Sequence, residues 1–468
     1  MKKSFFAAVI ALLAIACSPD NIETPTTPDK KAPAGITLSD TSFRLPAEGG
    51  AATLVVTGPF KPKLSGVPGW LDVSEGEFAD YRITYTLKAD ANEITEEKTA
   101  EISIASGPYK ASFTVSQEAG EEQPDPVLAD IDEHLTNPNA SAQAVKVYDF
   151  LRTVNGKKIL SGVQSGDTAN NNDRVNQIYA LTGRHPALAG YDFIFLQYSP
   201  TPASWSWKVD YGDISAAKEQ WTAGGLVSYM WHWNVPTSQT AWENGKKGNF
   251  DGYNFYCDKT SFSIGRALTE GTWENEFILG DIEKVAGYLK LLKDQGIPVI
   301  WRPLHEAAGN YDIYGRNGAW FWWGREGAEP CKKLWKLLRD KLEGEYGLDN
   351  LIWVWTLDVT QGAEKQFADW YPGNDLVDIV GVDIYADDTD AKQRQYDAAV
   401  ALSGGHKMVT VSECGNIPEP AKCISADQHW SWFLTWDLES YPLNTEQYWK
   451  SLMTSPAVTT REGMPSLK

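Results

Sequence analysis

The sequence predicts an α/β protein, in which a (β/α)8 TIM barrel follows a small all-β, immunoglobulin-like sandwich. The first observation is the length of 468 residues, which is too long for one ordinary core. The second is a change of pattern: short alternating runs fill residues 34–117, whereas apolar runs alternate with helical stretches from residue 128 onward. The third is the number of those apolar runs, eight, which is the strand number of this barrel.

The first 17 residues predict a secretory signal. Two lysines precede an apolar stretch from Phe5 to Ala16, which is too short to cross a bilayer, and Cys17 follows it. This pattern resembles a bacterial lipoprotein signal, and the resemblance implies that Cys17 is lipidated and anchors the protein in a membrane. Asp20 and Glu23 follow shortly after the cysteine. We therefore expect an outer-membrane lipoprotein, at the cell surface rather than on the periplasmic face.

Residues 18–33 are rich in Pro, Thr and charge and predict a linker. Residues 34–117 predict the sandwich, because short alternating runs are separated by Gly, Asp and Asn turns. Two segments of it, PGWLDV (68–73) and VSQ (115–117), resemble those of the BACON domains attached to envelope carbohydrate-active proteins. The resemblance implies either glycan or mucin binding or a spacer, and we expect a spacer. Residues 118–127 predict a second linker.

Residues 128–468 predict the barrel. Helical stretches such as residues 274–296, with apolar residues at three- and four-residue intervals, separate the apolar runs. A doubly wound sheet is the alternative, but no Gly-rich phosphate loop follows the first strand. The predicted strands are KKILSGVQ (157–164), HPALAGYDF (185–193), GGLVSYMWHW (224–233), IPVIWRPLHE (297–306), NLIWVWTLD (350–358), LVDIVGVDIY (376–385), KMVTVSECG (407–415) and SWFLTWDLE (431–439).

The composition excludes some classes of function. A net charge of −20 argues against nucleic acid as a partner, because little here neutralises phosphates. The 20 Trp, 20 Tyr and 16 Phe exceed what a core needs, and flat rings suit stacking on sugars, although we expect more than half of them in the core. Spacing does not reveal how the later cysteines pair, and none forms a zinc pattern. These four are Cys257, Cys331, Cys414 and Cys423.

Two glutamates stand at the ends of predicted strands, Glu306 after the fourth and Glu413 in the seventh. In a (β/α)8 barrel the active site lies where the strands end. Two carboxylates above one barrel mouth suit glycoside hydrolysis, with retention if they are about 5–5.5 Å apart and inversion if they are farther apart. Other strand ends are also polar, at His232, Asp358, Asp383, Tyr385 and Asp437.

The segment WRPLHE (301–306) resembles the acid/base motif of glycoside hydrolase family 26, a group of retaining (β/α)8 enzymes dominated by β-mannanases. Further similarities are the run WFWWG (320–324), His232 in WHWN, Tyr385 in VDIY, and Trp436 at the eighth strand. The resemblance covers residues 140–460 approximately. It implies no cofactor and no metal, and the HEAAG sequence lacks the second histidine of a zinc protease helix.

The resemblance also implies a role for each matching residue. Glu306 would be the acid/base and Glu413 the nucleophile, held by a hydrogen bond from Tyr385. His305 would lie near the nucleophile and the sugar hydroxyls. The other substrate-binding residues that the resemblance implies are His232 at the cleavage subsite, Trp436 as the floor of that subsite, and Trp320 on the leaving-group side.

The segment between Glu306 and Trp320, AAGNYDIYGRNGA, is longer than the family usually has. It carries Tyr311, Tyr314 and Arg316, and we expect it to reshape the product-side subsites.

The sequence therefore predicts a retaining β-1,4-mannanase acting on β-mannan, galactomannan or glucomannan. The alternatives are a mixed-linkage β-glucanase or β-1,3-xylanase of the same family, and a catalytically silent glycan-binding lipoprotein. The presence of both Glu306 and Glu413 argues against the silent protein.

Overall fold

The computed structural model divides into two compact units, and the division falls after residue 124. The predicted signal with Cys17 and the insertion with Tyr311, Tyr314 and Arg316 lie outside the described residues. The structure describes residues 31–92, 96–120, 131–166, 171–201, 208–309, 319–358 and 367–468.

The first unit contains two four-stranded sheets. Gly50–Thr57 and Arg82–Ala89 pair antiparallel at the centre of one sheet, between the strands Thr37–Leu38 and Asp72–Glu75. Every second residue of Arg82–Ala89 is buried, because successive side chains of a strand point to opposite faces. This burial pattern explains why the strand reads as an alternating run in the sequence.

The second sheet of this unit is built on the hairpin of Lys98–Ser106 and Tyr109–Gln117, with Ser42–Leu45 and Lys63–Ser65 at its edges. Inward-facing residues of both sheets form a single apolar core. The unit is therefore all-β. Its core includes Leu54, Val56, Ile83, Leu87, Ile102, Ile104, Phe113 and Val115.

The second unit is a closed barrel of eight parallel strands, and this confirms the predicted barrel. Neighbours in the sheet follow chain order, and the first strand pairs with both the second and the eighth. This closure rules out the doubly wound alternative, whose sheet is open. The barrel strands are Ile159–Gln164, Leu188–Asp192, Leu226–Met230, Val299–Arg302, Leu351–Asp358, Ile379–Ile384, Met408–Cys414 and Trp430–Thr435.

The barrel strands are buried on both faces, and the sixth, Ile379–Ile384, is buried at every residue. In the described part of the unit, three short strands accompany the barrel: Val235–Pro236 pairs with Tyr253–Asn254 in the loop after the third barrel strand, and Val458–Thr459 pairs with the first. The α-helices among the described residues are Ala142–Val154, Asp173–Thr182, Ser215–Thr222, Gln239–Gly245, Ile264–Ala267, Trp273–Asp294, Ala328–Arg339, Phe367–Trp370, Gln393–Ser403, Pro420–Ser425 and Glu446–Thr454.

The longest of these helices, Trp273–Asp294, begins where the Thr272 hydroxyl accepts a hydrogen bond from the Asn275 amide at 3.1 Å. Within the described ranges, no helix combines the length and apolar character needed to cross a bilayer. The four cysteines of the second unit are buried free thiols.

Candidate active site

Glu306 lies just beyond the fourth barrel strand, where the chain turns sharply. Leu304 and Glu306 both adopt the left-handed backbone region, with φ of 50° and 52°. This conformation is unfavourable for residues with a side chain, and such strain clusters at functional sites. The Glu306 amide donates to the Thr356 carbonyl of the fifth strand at 3.2 Å, which ties the turn to the barrel rim.

Glu413 belongs to the seventh strand, and its carboxylate lies near that of Glu306. One carboxylate oxygen each from Glu306, Asp383 and Glu413 all lie within 4.8 Å of one another. The two glutamates are only 3% and 5% exposed. The separation is close to the roughly 5–5.5 Å at which one carboxylate attacks a sugar while the other protonates the leaving oxygen.

Arg302 supplies a positive charge to this group of carboxylates. Its Nη2 donates to Glu413 Oε2, and its Nη1 donates to Asp383 Oδ2 at 2.8 Å. The Ser412 hydroxyl donates to the other oxygen of Asp383 at 2.7 Å. Burial raises the pKa of Asp383 against the attraction of Arg302, and the charge on Glu413 raises it further. These three carboxylates have the spacing of a metal site, but the guanidinium already occupies one oxygen of Asp383 and one of Glu413.

Tyr385, at the end of the sixth strand, makes the predicted contact with Glu413. Its hydroxyl donates to Glu413 Oε1, so that each oxygen of this carboxylate is bound by a different donor. Burial raises the pKa of Tyr385 strongly, followed by the negative charges of Glu413 and Glu306. The phenol therefore stays protonated and can donate to Glu413.

Two histidines stand next to each other beside the carboxylates. The Nε2 atoms of His232 and His305 are 3.3 Å apart, and His232 Nδ1 lies 2.5 Å from Asp192 Oδ2. Burial lowers the pKa of His305 well below its usual value, and the interactions with His232 and with the charge of Arg302 lower it further. His305 is therefore neutral at neutral pH. Its Nδ1 atom is buried and has no hydrogen-bond partner within the described residues.

The predicted aromatic contacts divide into rim and core. The Trp436 ring is half-buried, with its centroid 5.8 Å from that of His232. Trp320 is also half-buried, and its ring contacts Phe321, whose ring lies 5.0 Å from Trp320 and 5.1 Å from His305. Trp322 and Trp323 of the same run are completely buried and belong to the core.

Sequence reasoning assigned no role to three residues that organise the site: Arg302, Asp383 and Asp192. The available signal was a charged residue inside or directly ending an otherwise apolar strand, because a buried charge needs a partner. Arg302 lies within the quoted WRPLHE segment, and Asp383 was noted only as a polar strand end. The structure brings all seven predicted catalytic and substrate-binding residues to the carboxyl-terminal end of the barrel or to the loops that follow its strands. Their roles stay predictions.

Comparisons with known proteins agree with this geometry. The model of the family described as glycosyl hydrolase family 26 matches residues 136–461. A mannan endo-1,4-beta-mannosidase of Thermothelomyces thermophilus is 36% identical over 70% of this chain, and mannan endo-1,4-beta-mannosidase B of a Piromyces species is 37% identical over 73%. The chain covers 63% and 55% of these curated relatives, so it spans between half and two thirds of their length.

Among solved structures, the chain is similar to the beta-mannanase from a symbiotic protist of the termite Reticulitermes speratus, complexed with gluco-manno-oligosaccharide. The TM-score is 0.61 at 34% identity, and the match covers 72% of this chain and 99% of the other. The family model spans most of this sequence and all eight barrel strands, including both strand-end glutamates. The chain therefore belongs to glycosyl hydrolase family 26.

Proposed function

We propose that this protein is a retaining β-1,4-mannanase that hydrolyses β-mannan polysaccharides by double displacement. The observation that carries the proposal is the separation of at most 4.8 Å between carboxylate oxygens of Glu306 and Glu413. That spacing leaves no room for the water of an inverting mechanism, which needs carboxylates about 6.5–9.5 Å apart. The names of the most similar relatives support mannan as the substrate.

In the first step, Glu413 attacks the anomeric carbon and Glu306 protonates the leaving oxygen. Arg302 and Tyr385 each bind one oxygen of Glu413, which limits the rotation of the carboxylate. The attacking electron pair forms the ester bond while the glycosidic bond breaks, and the proton from Glu306 goes to the departing sugar.

In the second step, a water molecule attacks the same carbon and the ester bond to Glu413 breaks. Glu306, now deprotonated, takes the proton from that water and returns to its starting state. Tyr385 and Arg302 then stabilise the negative charge that returns to Glu413 as the ester is cleaved. The two steps use protein side chains and one water molecule, and the configuration at the anomeric carbon is retained.

The proposed substrates are β-mannan, galactomannan and glucomannan. The protist enzyme whose structure resembles this chain was solved with a gluco-manno-oligosaccharide, which supports a mixed glucose and mannose chain as a substrate here. The neutral His305 next to His232 gives the cleavage subsite hydrogen-bonding groups for sugar hydroxyls. Nothing observed in the site favours the β-glucanase, β-xylanase or silent-binder alternatives.

The test is product analysis on unbranched mannan over time, with the anomeric configuration followed by proton NMR in the first minutes. We expect β-configured reducing ends to appear before mutarotation. A parallel panel of mixed-linkage β-glucan and β-1,3-xylan with reducing-sugar detection should give much lower rates. Initial α-configured products would contradict the retaining mechanism, and binding of mannan without release of reducing ends would leave the silent binder.

For the amino-terminal part we propose a BACON-like, immunoglobulin-type spacer on a lipid anchor at Cys17. The two sheets that share one apolar core support the immunoglobulin-type spacer. The sequence features of residues 1–17 support the lipid anchor. The anchor would hold the enzyme at the outer membrane, at the cell surface. Metabolic labelling with a clickable fatty acid, comparing the native chain with Cys17→Ala, tests the anchor, and protease accessibility on intact cells tests the membrane face.

A further inference from the structure

A tyrosine outside the residues predicted for the site, Tyr441, packs against the tyrosine that binds Glu413. It lies in the loop after the eighth barrel strand, and its ring centroid is 5.9 Å from that of Tyr385, with the planes 52° apart. Tyr385 therefore contacts Glu413 on one side and Tyr441 on the other.

Both tyrosine rings lie over Gly415, two residues after Glu413. A Cβ atom on Gly415 would stand 2.7 Å from Cε1 of Tyr441 and 3.2 Å from Cδ1 of Tyr385. The first distance is shorter than any normal contact, so a side chain at this position would push Tyr441 away. The absence of a side chain at Gly415 allows the two rings to reach the backbone that carries Glu413.

The loop that carries Tyr441 is fixed to the same backbone. Asn444 is buried, its Nδ2 donates to the Gly415 carbonyl at 2.9 Å, and its Oδ1 accepts from the Ile417 amide at 3.0 Å. At the other end of the loop, Asp437 Oδ1 accepts from the Ser440 amide at 2.7 Å. The position of Tyr441 is thus set by hydrogen bonds that do not involve its own side chain.

We propose that Tyr441 is a positioning residue, whose ring holds Tyr385 in the orientation that donates to Glu413. This rests on the proposed function, in which Glu413 is the nucleophile. The hydroxyl of a tyrosine is the atom of the side chain farthest from the backbone. A small rotation of Tyr385 about its Cα–Cβ bond would therefore separate the hydroxyl from Glu413. Packing on Tyr441 restricts that rotation, in the way that supporting residues fix catalytic groups elsewhere.

Burial raises the pKa of Tyr441 to about 12, and the charge of Asp437 contributes to the increase. The phenol is therefore neutral over the working range of pH, and its effect on Tyr385 is one of packing rather than of charge. The competing interpretation is that the half-buried Tyr441 binds sugar directly at a neighbouring subsite.

The experiment compares Tyr441→Leu, Tyr441→Phe, Tyr385→Phe and the double variant Tyr441→Leu/Tyr385→Phe, with kcat and KM measured separately on short and long substrates. Tyr441→Leu should lower kcat roughly tenfold, the scale expected when a hydrogen bond to a charged group is lost, with little change in KM. Tyr441→Phe keeps the ring and should stay within about twofold of the native protein.

The double variant separates the two interpretations. If Tyr441 acts through Tyr385, then Tyr441→Leu should have almost no further effect once Tyr385→Phe has removed the donor. Multiplied losses in the double variant, or a Tyr441→Leu defect confined to KM on long substrates, would overturn the proposal in favour of direct sugar binding. Unchanged kinetics for Tyr441→Leu would overturn both.

Tyr448→Phe is the matched control. Its hydroxyl donates to the Ile417 carbonyl at 2.8 Å in the same region, and its removal should leave kcat within about twofold of the native protein. Thermal unfolding of every variant separates misfolding from mispositioning. All variants are assayed on whichever β-glycoside the native protein cleaves. A wrong substrate assignment would therefore be seen in the activity of the native protein and would not affect the test of Tyr441.

Discussion

The guanidinium of Arg302 donates to the carboxylate of Asp383 at 2.8 Å, and the two side chains are 4% and 0% exposed. The same guanidinium also donates to Glu413. Arg302 therefore links the proposed nucleophile to a carboxylate that has no assigned part in the chemistry. Because a buried charge is costly without its partner, the stability of the barrel and the position of Glu413 depend on the same ion pair.

Replacing Asp383 with Ala should therefore damage both stability and activity. Removing one partner of a buried ion pair typically costs about 3–5 kcal/mol, and we expect a loss of unfolding free energy in this range. The measurement is urea unfolding together with turnover on mannan. Asp294→Ala is the control, because it breaks an exposed helical ion pair with Lys290 and should cost at most about 0.5 kcal/mol. Equal losses in the two variants would contradict the linking role of Arg302.

The two glutamates should respond differently to substitution. Glu413→Ala should abolish turnover on every substrate, because no ester can form. Glu306→Ala should reduce turnover of mannan by a factor of about 10²–10⁴, the usual contribution of an acid catalyst. The first step should be affected least on aryl mannosides with good leaving groups, which need little protonation. Steady-state and burst kinetics on both substrate types check this. Equal losses of Glu306→Ala on both would contradict its assignment as the proton donor.

His305 should make the folded protein sensitive to acid. Its pKa is well below the unfolded value of about 6.5, so the unfolded state binds the extra proton first as pH falls. The stability that depends on neutral His305 is therefore complete above about pH 6.5 and decreases as the pH falls below it.

His305→Asn should remove this part of the pH dependence, measured as the change in unfolding free energy between pH 7 and pH 5. His406→Gln is the control, because the His406 side chain is half-exposed, whereas His305 is buried. If His305→Asn kept the full acid sensitivity of the native protein, His305 would not be the buried neutral group described here.

Much of the barrel could be predicted because its strands are buried on both faces. All eight strands, such as Ile379–Ile384, therefore read as continuous apolar runs. The positions of Glu306 and Glu413 followed from the rule that active sites lie at strand ends. The first unit followed in the same way from alternating burial, as in Arg82–Ala89.

The internal organisation of the site could not be predicted from the sequence. Pairing of Arg302 with both Asp383 and Glu413 depends on the register of strands far apart in the chain, and no local pattern specifies it. Tyr441 lies in a loop without periodicity, so its contact with Tyr385 had no signal at all. A run such as Trp320–Gly324 shows many aromatic residues but not which of them are buried, and here Trp322 and Trp323 are core residues.

Gly324 packs directly against the backbone of the turn that carries Glu306. A Cβ atom here would stand 1.8 Å from the Ala307 carbonyl oxygen and 2.4 Å from Cβ of Ala319. Ala307 directly follows Glu306, so Gly324→Ala should displace the turn that carries the proposed acid/base. We expect a stability loss of about 1–3 kcal/mol, as for other overpacked sites, and a larger loss of turnover on mannan than on activated aryl mannosides.

Thermal unfolding and kinetics on the two substrate types measure these effects. Gly287→Ala is the matched control, because a Cβ at Gly287 meets no atom within 4 Å in the helix Trp273–Asp294. In that helix the substitution should stabilise the protein by up to about 1 kcal/mol and leave turnover unchanged. Since both variants add one methyl group to the barrel unit, a difference between them isolates the contact with the Glu306 turn. Native turnover in Gly324→Ala would mean that this turn can shift without moving Glu306.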